Sequence, residues 1–207
     1  ASPLRFSGLS LQTRLNGAPL EPSGIALQIR LPRLDVDRAR SHLAAPEWHL
    51  SWNDATFSGA VDATIGEMPA AEGSLRLQVP SLRRLLQSLS ITAPATRDAD
   101  ALGALEASAR FAVGEGAAAL TQLELKLAST QVAGDVKLPT LAPLSLRFDL
   151  SADQVDMDRY LPPEDEPGTP LQLPLAQLKA LDAQGVLRIR RAQLAGAAAR
   201  EMRIDVE

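Results

Sequence analysis

Cysteine is absent from this 207-residue chain, and aromatic residues make up only 3% of it. Without cysteine, neither disulfide bonds nor thiolate metal sites can form. With so few aromatic rings, the chain offers almost no stacking platform for bases or sugars. Leu, Val, Ile and Ala must therefore form the core, and any apolar ligand surface must be aliphatic.

Long hydrophobic runs are also missing. No run of about 18 apolar residues occurs, and the first residues show no charged region followed by an apolar stretch. The sequence therefore predicts neither a transmembrane helix nor a signal peptide. Because the chain starts abruptly at Ala1 and ends at Glu207 inside an expected strand, we expect it to be a fragment of a longer protein.

The chain also lacks an excess of basic charge, since the net charge is −4 and the isoelectric point is near 5.3. A general nucleic-acid binder needs a concentrated basic surface, so we expect no nucleic-acid partner. The small basic groups Arg83-Arg84 and Arg188/Arg190/Arg191 are interpreted as solvated faces.

The sequence is rich in period-two alternation, which is typical of strands with one buried face. Leu144, Leu146 and Phe148, for example, alternate with Ser145 and Arg147. Short helices are predicted at about 37–44, 80–89, 98–104, 156–161 and 174–180, with Asp37 and Asp98 as N-caps and Pro80 in a first turn. These helices are too few to cover the apolar face. The predicted fold is therefore mainly β, a long curved antiparallel sheet shaped as a trough or half-barrel with a few short helices.

An aliphatic trough needs a ligand or a partner to cover it, and acyl chains fit it better than sugars or nucleotides. The candidate residues are the apolar members of the alternating segments. They are Leu75, Leu77, Leu123, Leu125, Leu127, Leu144, Leu146, Phe148, Leu187 and Ile189.

Three sequence patterns recur. Residues 102–113 return in pattern at 178–189, keeping the apolar positions and one acid, Glu106 or Asp182. Segments 55–59, 130–134 and 192–196 each close on a glycine, which we expect to allow a bend or bulge. The cassette 34–38 returns at 155–159, with aspartates placed to cap a helical turn.

The domain organisation predicted from these repeats is one repeat-built β domain over 1–207, with unit boundaries near 45, 97 and 162–170. The last of these ranges is rich in proline and acid, and is interpreted as an exposed loop between units.

No catalytic or metal site is predicted, and no cofactor. His42 and His49 do not have metal-ligand spacing, and no phosphate-binding, dinucleotide or nucleophile-elbow motif occurs. Paired acids such as Asp156/Asp158 are interpreted as caps or loop residues, although a hydrolase using them is a third hypothesis. Trp48 and Trp52 share a strand face and are interpreted as core or as the cover of a sheet end, with a membrane-interface or ligand contact as the alternative.

Residues 144–162 and 173–189, with the strands that follow, resemble segments of the AsmA family of Gram-negative bacteria. The resemblance covers at least 120–207 and extends more weakly to the whole chain. It implies a periplasmic section of a protein anchored in the inner membrane by an amino-terminal helix that lies outside this chain. It also implies a role in outer-membrane assembly and in moving phospholipid along a β-sheet groove. The alternative is a scaffold for outer-membrane protein assembly that pairs with clients through strand edges.

Overall fold

The computed structural model describes residues 3–15, 24–161, 182–194 and 196–207. The described part contains one α-helix, α1 (Leu82–Ser88), and two 3₁₀ helices, the first at Ala99–Leu102 and the second at Met157–Tyr160. The strands are β1 Leu4–Leu15, β2 Ile25–Asp37, β3 His42–Trp52, β4 Ala55–Thr64, β5 Ala70–Val79, β6 Leu105–Gly114, β7 Ala117–Leu127, β8 Thr130–Leu141, β9 Leu144–Asp156, β10 Asp182–Leu194 and β11 Ala197–Val206.

All eleven strands belong to one curved sheet whose spatial order is the order of the sequence. Each strand pairs antiparallel with its neighbours, except that β9 and β10 run parallel. β1 and β11 are the two edges, and the sheet does not close on itself. The predicted mainly β fold is confirmed, with one parallel pair that the alternation pattern did not reveal.

The strand ends form two different margins of the sheet. At one margin, which we call the helical edge, lie α1, both 3₁₀ helices and the turns 53–54 and 128–129. At the other, the open edge, lie the turns 38–41, 65–69, 115–116 and 142–143. Antiparallel order brings alternate turns to the same margin, so the two long connections after β5 and β9 both start at the helical edge.

The predicted helix at 80–89 is confirmed as α1. Its N-cap is Ser81, whose Oγ accepts a hydrogen bond from Arg84 N at 3.3 Å, while Pro80 precedes the cap instead of lying in the first turn. The helices predicted at 98–104 and 156–161 are single 3₁₀ turns capped by Asp98 and Asp156. The helix predicted at 174–180 lies outside the described residues.

The helix predicted at 37–44 is wrong. Asp37 Oδ1 accepts hydrogen bonds from the backbone N–H groups of Ala39 and Arg40, at 3.0 and 3.2 Å. Ser41 then adopts a left-handed φ of 51°, and β3 begins at His42. The aspartate thus caps a tight turn that reverses the chain at once, because a left-handed residue ends helical geometry.

The unit boundary predicted near 45 falls inside β3, and the one near 97 falls in the connection between β5 and β6. The boundary at 162–170 lies outside the described residues. The described residues of the repeat 102–113 and 178–189 lie mostly on β6 and β10. Glu106 and Asp182 are both exposed near the start of these strands. The described part of each copy therefore lies mainly on one strand of the sheet.

Two of the three repeat glycines lie opposite a bulge, but the extra residue is in the neighbouring strand and not in the strand that carries the glycine. Gly59 pairs with Trp48, next to a register shift in β3, and Gly134 pairs with Leu123, next to a register shift in β7. A Cβ on Gly134 would lie 2.0 Å from the Asp149 carbonyl oxygen, so only glycine allows this close approach. Gly196 instead lies in the β10–β11 turn.

Candidate functional site

An unbroken row of apolar side chains crosses all eleven strands. Residues that pair directly across neighbouring strands point to the same face of the sheet. The members of the row can therefore be identified from the strand pairing, one strand at a time from β1 to β11. The row is Leu11, Ile29, Leu50, Phe57, Leu77, Ala107, Leu125, Val132, Ala152, Ile189 and Met202. We call the side of the sheet that carries this row the apolar face, and the other side the polar face.

All ten predicted groove residues lie on the apolar face. Leu77, Leu125 and Ile189 belong to the row just described. Leu75, Leu123 and Leu187 form the next row toward the open edge, and Leu127 lies one row toward the helical edge. Phe148, Leu146 and Leu144 follow along β9 toward the open edge. The alternation in the sequence therefore correctly predicted that these residues share one face of the sheet. Their contact with lipid stays a prediction.

The apolar face is sheltered more than the polar face, but it is not sealed. Ala109 and Ala152 on the apolar face are 9% and 5% exposed, whereas Ala112 and Ala133 on the polar face are exposed. Most of the large side chains of the apolar face are only half-buried, and Leu144 is 48% exposed. Side chains of the same type are therefore better shielded from solvent on the apolar face than on the polar face.

The fully buried core is small and is concentrated near the helical edge. Five of the nine buried hydrophobic residues are alanines. Ile25 and Val79 are the largest fully buried side chains, and both lie at strand ends on the helical edge. Ala101 and Leu102 of the first 3₁₀ helix, at the same edge, are also buried. Within the described residues, no second sheet or helix layer covers the middle of the apolar face.

A polar belt runs along the helical edge and begins at α1. Arg84 pairs with Asp54 of the β3–β4 turn at 3.2 Å, which holds α1 against the ends of these strands. Arg83 Nη2 donates to Thr96 Oγ1 at 2.8 Å, and Thr96 Oγ1 donates to the carbonyl oxygen of Asp98 at 2.7 Å. These contacts tie the helix to the residues that lead into the first 3₁₀ helix.

The belt continues to the second 3₁₀ helix. Arg159 Nε donates to Asp98 Oδ2 at 2.6 Å, and Arg159 Nη1 donates to Ser129 Oγ at 2.7 Å. Arg97 N donates to the carbonyl oxygen of Leu161 at 2.7 Å. Asp158 then accepts a hydrogen bond from Gly196 N at 3.0 Å. The long connections after β5 and β9 are thus joined to each other and to the last turn.

The carboxylate of Asp98 is the centre of this belt. Its pKa is lowered because its side chain accepts a hydrogen bond from the backbone N–H of Asp100 and another from Arg159. The pKa of Arg159 is raised by the same contact. Both shifts favour the charged pair, so the belt is assembled at neutral pH.

The open edge has no comparable cover among the described residues. Apolar side chains there are between 42% and 74% exposed, and Met68 and Ile65 in the β4–β5 turn are the most exposed of them. The set comprises Leu4, Phe6, Ile65, Met68, Val113, Leu141 and Leu144. The apolar face therefore reaches solvent at this margin.

Trp48 and Trp52 both lie on the apolar face of β3 and are half-buried, in keeping with the core interpretation. Trp48 packs over Gly59, and an added Cβ on that glycine would lie 3.2 Å from the Trp48 ring. The Nε1 atom of Trp52 is buried and has no hydrogen-bond partner in the described structure. Its ring lies at the helical edge, beside the buried Ala55.

The polar candidates from the sequence have structural partners. His42 Nε2 lies 2.7 Å from Asp62 Oδ1, and His49 Nε2 lies 2.8 Å from Glu47 Oε1, all at exposed positions. Asp35 and Asp98 bind arginines, and Asp156 caps a 3₁₀ helix. In the described ranges, no three His, Cys, Asp or Glu residues are placed to hold a metal ion. None of the helices described is long and apolar enough to span a membrane.

A cavity of about 920 Å³ lies along β5–β11. Each of the seven strands contributes one residue of the apolar row and the two residues that flank it. The flanking residues point to the polar face, and no residue of the neighbouring apolar rows takes part. The cavity therefore lies on the polar face. Sequence reasoning missed it, because its lining comes together only through the register of seven strands.

Comparison of the chain with protein-family models, with curated proteins and with solved structures gives no match.

Proposed function

We propose that this chain is a lipid-contacting section of a longer periplasmic protein of the AsmA type, anchored in the inner membrane. Its apolar face would bind or conduct phospholipid acyl chains between the inner and outer membranes and so support outer-membrane assembly. The observation that carries the proposal is the apolar row that crosses all eleven strands and is only partly buried.

The chemistry of this face suits acyl chains. Its side chains are overwhelmingly aliphatic, and polar groups that would fix one ligand in one orientation are absent from the row across the eleven described strands. Burying a methylene group stabilises by roughly 0.8 kcal/mol relative to water. A lipid tail that leaves a bilayer gives up about as much, so a uniform aliphatic face favours passage over tight capture.

Mass spectrometry of lipids retained by the gently purified protein tests the proposal. The wild-type chain should carry phospholipid, and Leu125→Arg should lose most of it, because a guanidinium would stand in the middle of the apolar row. Glu124→Arg is the matched control, since it introduces the same side chain one residue away on the polar face. Lipid retained equally by both variants, or by neither variant nor the wild type, would contradict the proposal.

A second candidate is a scaffold that pairs with outer-membrane protein clients through a free strand edge. The observation that favours it is β1, an edge strand on which Leu4, Phe6, Leu9, Leu11 and Leu15 are each at least 39% exposed. Long exposed apolar edges readily accept another strand.

The two candidates differ in which variants impair outer-membrane assembly. In the scaffold case, Leu146→Arg should leave function intact, and a proline in an edge strand that does not unfold the protein should abolish it. In the lipid case, Leu146→Arg should impair function. Circular dichroism of each variant shows whether the sheet is kept.

A further inference from the structure

We propose that arginines of β10 and β11, at one end of the polar-face cavity, form a binding site for a phosphate group. This site lies on the opposite face from the residues proposed to contact acyl chains, so it does not depend on the proposed function.

The arginines meet through strand pairing. Arg188, Arg190 and Arg203 line the cavity where it reaches the last two strands, and Glu201 is the acidic lining residue there. Arg188 is the direct cross-strand partner of Arg203, and Arg191 is the partner of Arg200. Like charges directly opposite one another destabilise a sheet unless counter-charges are near.

Counter-charges are present for only one of these pairs. Asp149 binds Arg188, and Asp205 binds Arg203 at 2.7 Å, which lowers the pKa of Asp205. In the described ranges, the structure shows no acidic side chain within ion-pair distance of the three remaining arginines, and all three are exposed. They are Arg190, which lines the cavity, and Arg191 and Arg200, which do not.

The other strands that line the cavity carry no excess of positive charge, because their two basic lining residues, Arg76 and Lys126, are outnumbered by Glu106, Glu124 and Asp153. Glu106 is the direct cross-strand partner of Lys126, and the lining residue Glu124 faces Ser108. The excess of positive charge is therefore confined to β10 and β11. The sequence alone shows three of these arginines in a short run, but Arg200 and Arg203 join them only through the β10–β11 register.

A phosphate group fits this arrangement better than a single carboxylate. Guanidinium groups present a planar fork of donors that matches phosphate oxygens, and several forks can share one phosphate. The phosphate could belong to a lipid headgroup or to a soluble compound, and the same arginines would bind either.

The test compares two triple variants of the whole chain that lose the same charge. One is Arg188→Gln, Arg190→Gln and Arg203→Gln, and the control is Arg14→Gln, Arg30→Gln and Arg38→Gln, all exposed and distant from the cavity. Isothermal titration with inorganic phosphate should show binding by wild type and control. The first variant should bind at least about tenfold more weakly, as expected for lost charged hydrogen bonds.

A second arm identifies the source of the phosphate. Sedimentation with vesicles of phosphatidylglycerol and phosphatidylcholine, against phosphatidylcholine alone, should show binding that inorganic phosphate displaces if the ligand is a headgroup. Phosphate binding without vesicle binding assigns a soluble ligand. The single variant Arg190→Gln leaves both aspartate pairs intact and should weaken binding without altering the fold. The proposal is overturned if wild type binds neither probe, or if both triple variants lose binding equally.

Discussion

Gly59 shows how a single position sets the spacing of the sheet. A Cβ at this position would lie 1.9 Å from the Ser74 carbonyl oxygen, and its φ is not in the left-handed region. Gly59→Ala must therefore push β4 and β5 apart, and should lower the free energy of unfolding by about 2 kcal/mol. Chemical denaturation measures the loss.

The control for this prediction is Gly116→Ala. Gly116 has a left-handed φ of 74° but no atom within 4 Å of an added Cβ. Only the backbone strain, about 1 kcal/mol, should appear there. An equal or larger loss at Gly116 would mean that the strands do not approach closely at Gly59.

Asp98 carries a prediction about pH. Its folded-state pKa lies below the ordinary value of 3.8, so the unfolded chain takes up a proton first as the pH falls. The stabilisation is fully present above about pH 5 and is lost as the pH falls through 3.8 toward the lowered folded value. Asp98→Asn should therefore destabilise at pH 6 and show a smaller loss of stability between pH 5 and pH 3 than the wild type.

Urea denaturation at several pH values checks this, with Glu67→Gln as the control. Glu67 is an exposed turn residue with no ion pair in the described structure. If Asp98→Asn and Glu67→Gln change the pH profile equally, the belt at the helical edge does not depend on the Asp98–Arg159 pair.

At the scale of elements, α1 depends on its cap. Ser81 Oγ accepts from Arg84 N, and the helix is only seven residues long. Ser81→Ala should cost about 1 kcal/mol. The loss should appear locally, because α1 lies outside the sheet.

Hydrogen exchange distinguishes a local effect from a global one. Faster exchange is expected in 82–89 and at the helical edge, with the central strands unchanged. Ser74→Ala, at an exposed β5 position, should leave all exchange rates as they are. Faster exchange throughout β5 and β6 after Ser81→Ala would contradict the view that α1 is peripheral.

The strands were the most predictable elements, because alternation survives in nearly every one of them. In β7, for example, Leu123, Leu125 and Leu127 alternate with polar residues, so the sequence alone shows which side chains lie on the apolar face. The turn at 38–41 was mistaken for a helix because the cassette 34–38 matches 155–159, yet Asp37 caps a chain reversal and Asp156 caps a 3₁₀ helix. The parallel pairing of β9 and β10 has no local signal, because it depends on the route of the long connection.

For the whole molecule, the alternation of apolar and polar residues and the scarcity of helices predicted a trough-like sheet, but they did not predict which edge of the sheet is covered. The belt joins residues far apart in sequence, such as Asp98 and Arg159, and no spacing rule connects them. The same limit applies to the polar-face cavity. Both the belt and the cavity depend on which residues of distant segments lie side by side. The spacing of apolar residues along the sequence does not show this.

Side chains are more deeply buried at the helical edge than at the open edge, and this difference gives a prediction about stability. Ile25 is completely buried at the helical edge, whereas Leu144 is 48% exposed at the open edge. Ile25→Ala should cost about 3 kcal/mol, and Leu144→Ala less than about 0.5 kcal/mol. Similar costs in denaturation experiments would mean that the open edge is covered in solution.

Site-specific photo-crosslinking in the full-length protein tests whether lipid contacts the apolar face of the sheet and not the polar face. Photoreactive residues at Leu125 and Leu146 sample the apolar face, and those at Glu124 and Arg147 sample the polar neighbours on the same strands. We expect phospholipid adducts at the first two positions and not at the second two. Equal labelling of both faces would contradict it.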